Sequence, residues 1–163
     1  MPVAIQNRQR TVKIQTALIK KRLQQLLGFV GCADEELSVV FANDALMQAL
    51  NRTYRHKDQT TNVLAFPQPP AEQGEAGSAL LGDVIVSLPA AAREARVLRQ
   101  SLEDRVLYLL IHGILHLLGY DHEGSEDEGQ RMEAREQEIL AFLHAAERRQ
   151  HGGNTTRRLG TKP

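Results

Sequence analysis

What this chain lacks narrows the possibilities before any motif is considered. It has a single cysteine, Cys32, which excludes an internal disulfide and fits a reducing cytosol. The N-terminal stretch MPVAIQNRQR has no apolar core of the kind a signal peptide needs. The longest apolar run, residues 106–118, is broken by two histidines and is shorter than the ~20 residues that cross a bilayer. Neither export nor membrane spanning is indicated, and the expected location is cytoplasmic. There is no internal repeat, no glycine-rich phosphate loop, no paired-cysteine zinc ribbon and no serine nucleophile elbow. Net charge is absent too, but the zero is a sum of unequal parts. Six basic and no acidic residues precede Asp34, and the last nineteen residues carry five basic residues against Glu147 alone. Residues 123–138 are mainly acidic. This asymmetry suits a polyanion touching one side of the molecule, and it equally suits a solvated helix face with a loose tail.

With 163 residues and 42% hydrophobic content, the chain fits one domain with a sizeable core. That domain is expected over residues 1–145, with residues 146–163 forming a basic, disordered tail that has no core pattern. Weak alternation at residues 2–7 predicts a strand, and apolar spacing over residues 11–27 predicts a helix stopped by Gly28. A buried strand follows at 36–41, then a short helix capped by Asn43 and carrying Leu46, Met47 and Leu50. Strands at 62–66 and 80–87 flank a proline-rich loop at 67–78, and Gly82 marks a bulge or a close approach. Ser87 and Pro89 open a helix to about residue 98. Ser101 with Asp104 opens the central helix, residues 102–118, and Ser125 with Glu128 caps a last helix to about residue 143.

The central helix is apolar around most of its circumference, so it should be surrounded by protein. The exception is a stripe of Arg105, Tyr108, His112 and His116. Three of the six histidines fall in one stretch that begins on it, HGILHLLGYDH, residues 112–122. A lone histidine on an apolar helix is usually a core residue, but here the i, i+4 pair stacks two imidazoles on one face. Gly119 can take positive φ, stop the helix and bring His122 round as a third ligand. Three protein ligands leave a position open, as in a catalytic zinc site. The spacing matches the metzincin protease pattern HExxHxxGxxH except that Gly113 replaces the glutamate, which is the general base of those enzymes. Zinc held there retains its Lewis acidity toward water and phosphoryl oxygens, so phosphodiester hydrolysis is a natural alternative to peptidase chemistry.

HGILHLLGYDH resembles the signature of the YbeY family of bacterial zinc-dependent endoribonucleases, YRHKDQTTNVLAFP (residues 54–67) its second block and LLGDVIVS (residues 80–87) its third. The similarity covers roughly residues 35–142. It implies an α+β fold, a small mixed four-stranded sheet packed on helices, with the histidines on a buried central helix. It also implies one zinc ion per chain on His112, His116 and His122, and Arg55 as the functional arginine. The implied activity is single-strand-specific RNA cleavage in maturation of the three-prime end of small-subunit ribosomal RNA and in ribosome quality control. The implied partners are single-stranded and precursor ribosomal RNA, the small ribosomal subunit and its proteins, with no membrane and no DNA. Ala65 stands where the family commonly has serine, and Thr60 where proline is frequent.

Other polar residues have two readings each. Asp121 orients a ligand histidine or makes a turn, and Asp83 supports the site or is structural. Lys57 contacts phosphate or is simply exposed, and Arg55 itself could be a surface arginine paired with Asp58. His56, His144 and His151 lack metal spacing. Three functions are open at this stage, in order: a zinc endoribonuclease, an unusual zinc peptidase, and a non-enzymatic RNA-binding assembly factor with a structural metal.

Overall fold

The structure is a computed structural model that describes residues 3–68, 80–121 and 124–159, with only the backbone described for 151–159. Nearly all of the proline-rich loop, together with His122, the side chain of His151 and residues 160–163, lies outside the described residues. The elements run β1 (Val3–Asn7), α1 (Thr16–Phe29), β2 (Glu36–Ala42), α2 (Asp44–Arg55), β3 (Val63–Pro67), β4 (Leu80–Ser87), α3 (Leu88–Leu98), α4 (Leu102–Leu117) and α5 (Glu126–Leu159). The sheet order is β1-β2-β4-β3, with β1, β2 and β4 parallel and β3 antiparallel at the edge, so the fold is α+β with a mixed four-stranded sheet.

Strand alternation sends the apolar residues to two faces. Leu37, Val39 and Phe41 of β2 and Val84 and Val86 of β4 join α1, α4 and α5 in the main core. On the other face, Leu64 and Ile85 pack with Met47 of α2 in a smaller cluster. Helix α4 lies against β3, β4, α3 and α5, and eight of its residues are buried, so it is the central helix its composition predicts. Its N-cap is Ser101, whose hydroxyl accepts from the Asp104 N–H at 3.1 Å. Its C-terminus closes as predicted on Gly119 at φ 97°, with the Tyr120 N–H donating to the Leu115 carbonyl at 3.0 Å. Asn43, Ser87 and Ser125 also cap the helices assigned to them.

The boundaries of three helices move. Helix α1 begins at Thr16, not residue 11, because the Gln9 carboxamide pairs with both the N–H and the carbonyl of Val12, at 2.9 and 2.8 Å, and holds that segment in a turn. It passes Gly28, and the residue with left-handed φ is Gly31. Helix α5 continues to Leu159, past the expected end near residue 143. Ala145, Ala146, Glu147, Arg148, Arg149 and Gln150 are good helix formers, although the last buried side chain among the described residues is Leu143. The third shift moves Arg55 from the expected polar turn to the last residue of α2, where His56 takes the left-handed cap at φ 57°. Among the described residues, no helix is long and apolar enough to cross a membrane.

Candidate functional site

His112 and His116 project from the half-exposed stripe of α4, one turn apart, and their Nε2 atoms meet at 3.2 Å. The rings are set edge-on, with centroids 4.7 Å apart. Behind them, the Glu136 carboxylate on α5 accepts from His112 Nδ1 at 2.9 Å. A carboxylate only accepts, so this contact puts the proton on Nδ1 and leaves the Nε2 lone pair facing His116. The Glu136 side chain is 7% exposed and that of His112 is 22% exposed, so this support lies inside the protein while the imidazole edge reaches solvent. Tyr108, on the same stripe, has its hydroxyl pKa pushed up by burial first, and next by the charge of Glu136, to which it also hydrogen-bonds. Arg105 lies 4.7 Å above the Tyr108 ring and is held from the other side by Glu94, its Nε donating at 3.0 Å. Glu94 in turn accepts from Asn62 at 3.2 Å. A continuous polar chain therefore links the strand entrance to the histidines.

The histidine pair opens on a cleft of about 250 Å³ between α4, the end of α2 and β3. Arg55 and Lys57 line it together with His112, Gly113, His116, Asn51 and Asn62. The segment after α2 is fixed there by buried Asn51, whose amide donates to the Gln59 carbonyl at 2.9 Å while its own carbonyl accepts from the Lys57 N–H. Arg55 and Lys57 are exposed and make no ion pair among the described residues. In particular Asp58, the partner in the alternative reading of Arg55 as a surface arginine, instead accepts from Gln48 at 3.1 Å.

Gly113 is buried, and its position explains why no side chain stands there. A Cβ on it would come within 2.7 Å of Val84 Cγ1 and 3.3 Å of Val84 Cγ2. The residue that is a glutamate in the protease pattern is here a point where α4 packs too closely on Val84 of the sheet to admit a side chain. Gly82 plays a matching part: at φ 147° a Cβ on it would come within 2.5 Å of the Phe66 carbonyl oxygen, so it is the close approach, and the register shift that leaves Leu81 unpaired lies directly beside it.

Of the expected residues, His112, His116 and Arg55 share one cleft, Lys57 joins them, and His122 lies outside the described residues. Asp83 lies across the sheet from the histidines, among the residues facing α2. His56 and His144 are exposed. No group of three histidine, cysteine or carboxylate side chains poised for a metal occurs among the described residues. The residues not anticipated are Glu136, Asn51, Asn62 and Glu94.

A family model described as Endoribonuclease YbeY matches residues 4–144. A Geobacter metallireducens protein of that name is 49% identical over 144 residues, covering 88% of this chain and 96% of its own. The Syntrophotalea carbinolica protein of that name is 44% identical over 142 residues, covering 86% and 95%. Among solved structures, a Thermotoga maritima protein determined in solution superposes with a TM-score of 0.62 at 23% identity, covering 91% of this chain and 93% of that one. That likeness concerns the fold.

Proposed function

This chain belongs to the endoribonuclease YbeY family, and on that footing we propose that it is a zinc-dependent endoribonuclease that hydrolyses phosphodiester bonds of single-stranded RNA in the cleft between α4 and β3. The observation that carries the reading is the pairing of two converging imidazoles with an arginine that makes no ion pair among the described residues, in one cleft.

The donor set suits zinc. Two nitrogens each roughly 2.0 to 2.1 Å from a tetrahedral ion sit about 3.3 Å apart, and the His112 and His116 nitrogens are 3.2 Å apart. Two imidazole edges facing each other at that distance call for a shared proton or a shared cation. His112 and His116 would hold one ion per chain, with His122 as the third ligand in this reading. Bound there, zinc would supply Lewis acidity, acidifying water and drawing negative charge from a phosphoryl oxygen.

The rest falls to the chain itself. Glu136 keeps the His112 proton on Nδ1 and fixes the ring. The Arg55 guanidinium presents a fork of donors that matches two phosphoryl oxygens, so it would seat the scissile phosphate and hold the charge that builds on it. Lys57 adds a second positive charge on the same wall. Gly113 has no group to take a proton and no room for one, which weighs against the peptidase reading.

The substrate we propose is precursor small-subunit ribosomal RNA, trimmed at its three-prime end, with a further part in ribosome quality control. The partners would be the small ribosomal subunit and its proteins in the cytoplasm, and no action on DNA is expected. The test incubates zinc-loaded protein with structured RNA, unstructured RNA, DNA and casein. The reading expects cutting of unstructured RNA alone, and zinc-dependent casein degradation that survives further purification would replace it with a peptidase.

A further inference from the structure

We propose that the groove on the α2 side of the sheet is a nucleobase subsite, in which Tyr54 and Phe66 stack one base of the RNA strand while Asp83 accepts from that base's amino group. The inference rests on the endoribonuclease reading and says where the strand goes after it leaves the cleft.

The groove and the cleft are two sides of one seam. On α2, Asn51 and Arg55 line the cleft, whereas Leu50 and Tyr54, also four residues apart, line the groove. On β3, Val63, Leu64 and Ala65 line the cleft and Phe66 lines the groove. The groove measures about 320 Å³ and is completed by Val40, Ile85 and Asp83. A strand whose phosphate sits on Arg55 therefore passes within one residue of Tyr54.

Three observations select a base as the occupant. Tyr54 is 63% exposed, an unusual cost for a large ring, and its only ring partner among the described residues is Phe66, met edge-on with centroids 5.4 Å apart. Most of the tyrosine is left open to a planar group. The cations of the adjoining cleft, Arg55 and Lys57, are exposed and make no ion pair among the described residues, so the seam beside the groove suits the phosphates of a polyanion. Asp83 is half-buried in the groove, and its carboxylate has no hydrogen-bond partner among the described residues. A carboxylate there repels phosphate and accepts from a base amino group, as acidic side chains do with the N4 amine of cytosine. Backbone on the cations and base in the groove is the arrangement that leaves every one of these groups matched.

The experiment measures the affinity of the zinc-loaded protein for fluorescent twelve-nucleotide oligo-C and oligo-U RNA strands by anisotropy on ice, read within the interval over which gels show the strands still uncut. Tyr54→Ala should weaken oligo-C binding about tenfold, within the range for one stacked base, and Tyr54→Phe should restore it. The parent should prefer oligo-C to oligo-U several-fold, and Asp83→Asn should bring that ratio near one. Melting temperature identifies any variant that has lost its fold, and exposed Tyr54 gives no reason to expect one. Unchanged affinity in Tyr54→Ala, with Arg55→Glu still weakening binding, would overturn the subsite and leave the endoribonuclease reading standing. A parental ratio near one, or one unaltered in Asp83→Asn, would remove the role given to Asp83. If the parent bound neither strand, the endoribonuclease reading would fall first.

Discussion

Placing a side chain at Gly113 tests the packing of α4 and the separation from peptidase chemistry together. Apolar carbons pack best at about 3.5 to 4.0 Å, and a Cβ at position 113 would stand 2.7 Å from Val84 Cγ1. Val84 cannot easily yield. It is fully buried on β4, and its branched Cβ leaves few rotamers. Gly113→Ala gains roughly 1 kcal/mol of helix propensity and loses roughly 1 to 3 kcal/mol to overpacking, so a net destabilisation of about 1 kcal/mol is expected. For a chain of this size that lowers Tm by about 2 to 4 °C. Gly113→Glu adds a carboxylate aimed at two valines and should cost several kcal/mol more, moving α4 off the sheet and His112 and His116 with it. Melting is followed calorimetrically on metal-free protein, so that metal binding does not enter the comparison. Val84→Ala in the Gly113→Ala background should recover part of the loss, a coupling that a double-mutant cycle reads directly. A Gly113→Glu protein that melts with the parent would refute the packing argument, and one that also digests casein would restore the peptidase reading.

Purified protein should carry one zinc per chain by elemental analysis, and changing His112, His116 and His122 together to alanine should remove it; unchanged zinc would refute the ligand assignment. Arg55→Glu should nearly abolish RNA cleavage and Arg55→Lys should keep part of it, both with parental zinc content and Tm, because Arg55 is exposed and unpaired among the described residues. An Arg55→Glu protein that cuts at the parental rate would leave Arg55 without a catalytic role. Glu136→Leu should weaken zinc binding by about 10- to 100-fold, measured by chelator competition, since a ligand histidine loses its orienting acceptor. Asp44 is held below the usual carboxylate range, chiefly by its hydrogen bond from Arg93 and also by Ser87. Its folded pKa is depressed, so its contribution to stability is present above about pH 4 and lost as pH falls further. The melting curves of Asp44→Asn and the parent should therefore converge in acid, and a constant gap down to pH 2 would show that the carboxylate charge is not what Asp44 contributes.

The sequence shows clearly those parts of the fold that rest on local chemistry. Asn43, Ser87, Ser101 and Ser125 announce their helices because each cap is a side chain bonding to a backbone N–H three residues ahead. The stripe of Arg105, Tyr108, His112 and His116 is equally visible, since helical periodicity alone puts four polar residues on one side of an apolar helix. The start of α1 is hidden because a single glutamine closes the turn before it, and neither composition nor periodicity marks Gln9 for that task. The strand order is hidden as well, since β4 inserts between β2 and β3 through contacts distant in sequence.

Glu136 is a different case, because its signal is present in the sequence. Met132, Glu136, Ile139 and Leu143 recur at helical spacing, and all four are buried. A glutamate inside an apolar stripe must find a proton donor within the protein or pay heavily for its desolvation. Helix α4, the central buried helix against which α5 packs, carries two imidazoles and a tyrosine on its one polar stripe. Pairing the only polar residue on one buried stripe with the donors on the other would place Glu136 behind His112, where the structure has it at 2.9 Å. The same reasoning gives α5 a purpose beyond covering the core. Its hydrophobic residues dock it against the body of the protein, and that docking holds one carboxylate against the imidazole on which the proposed chemistry depends.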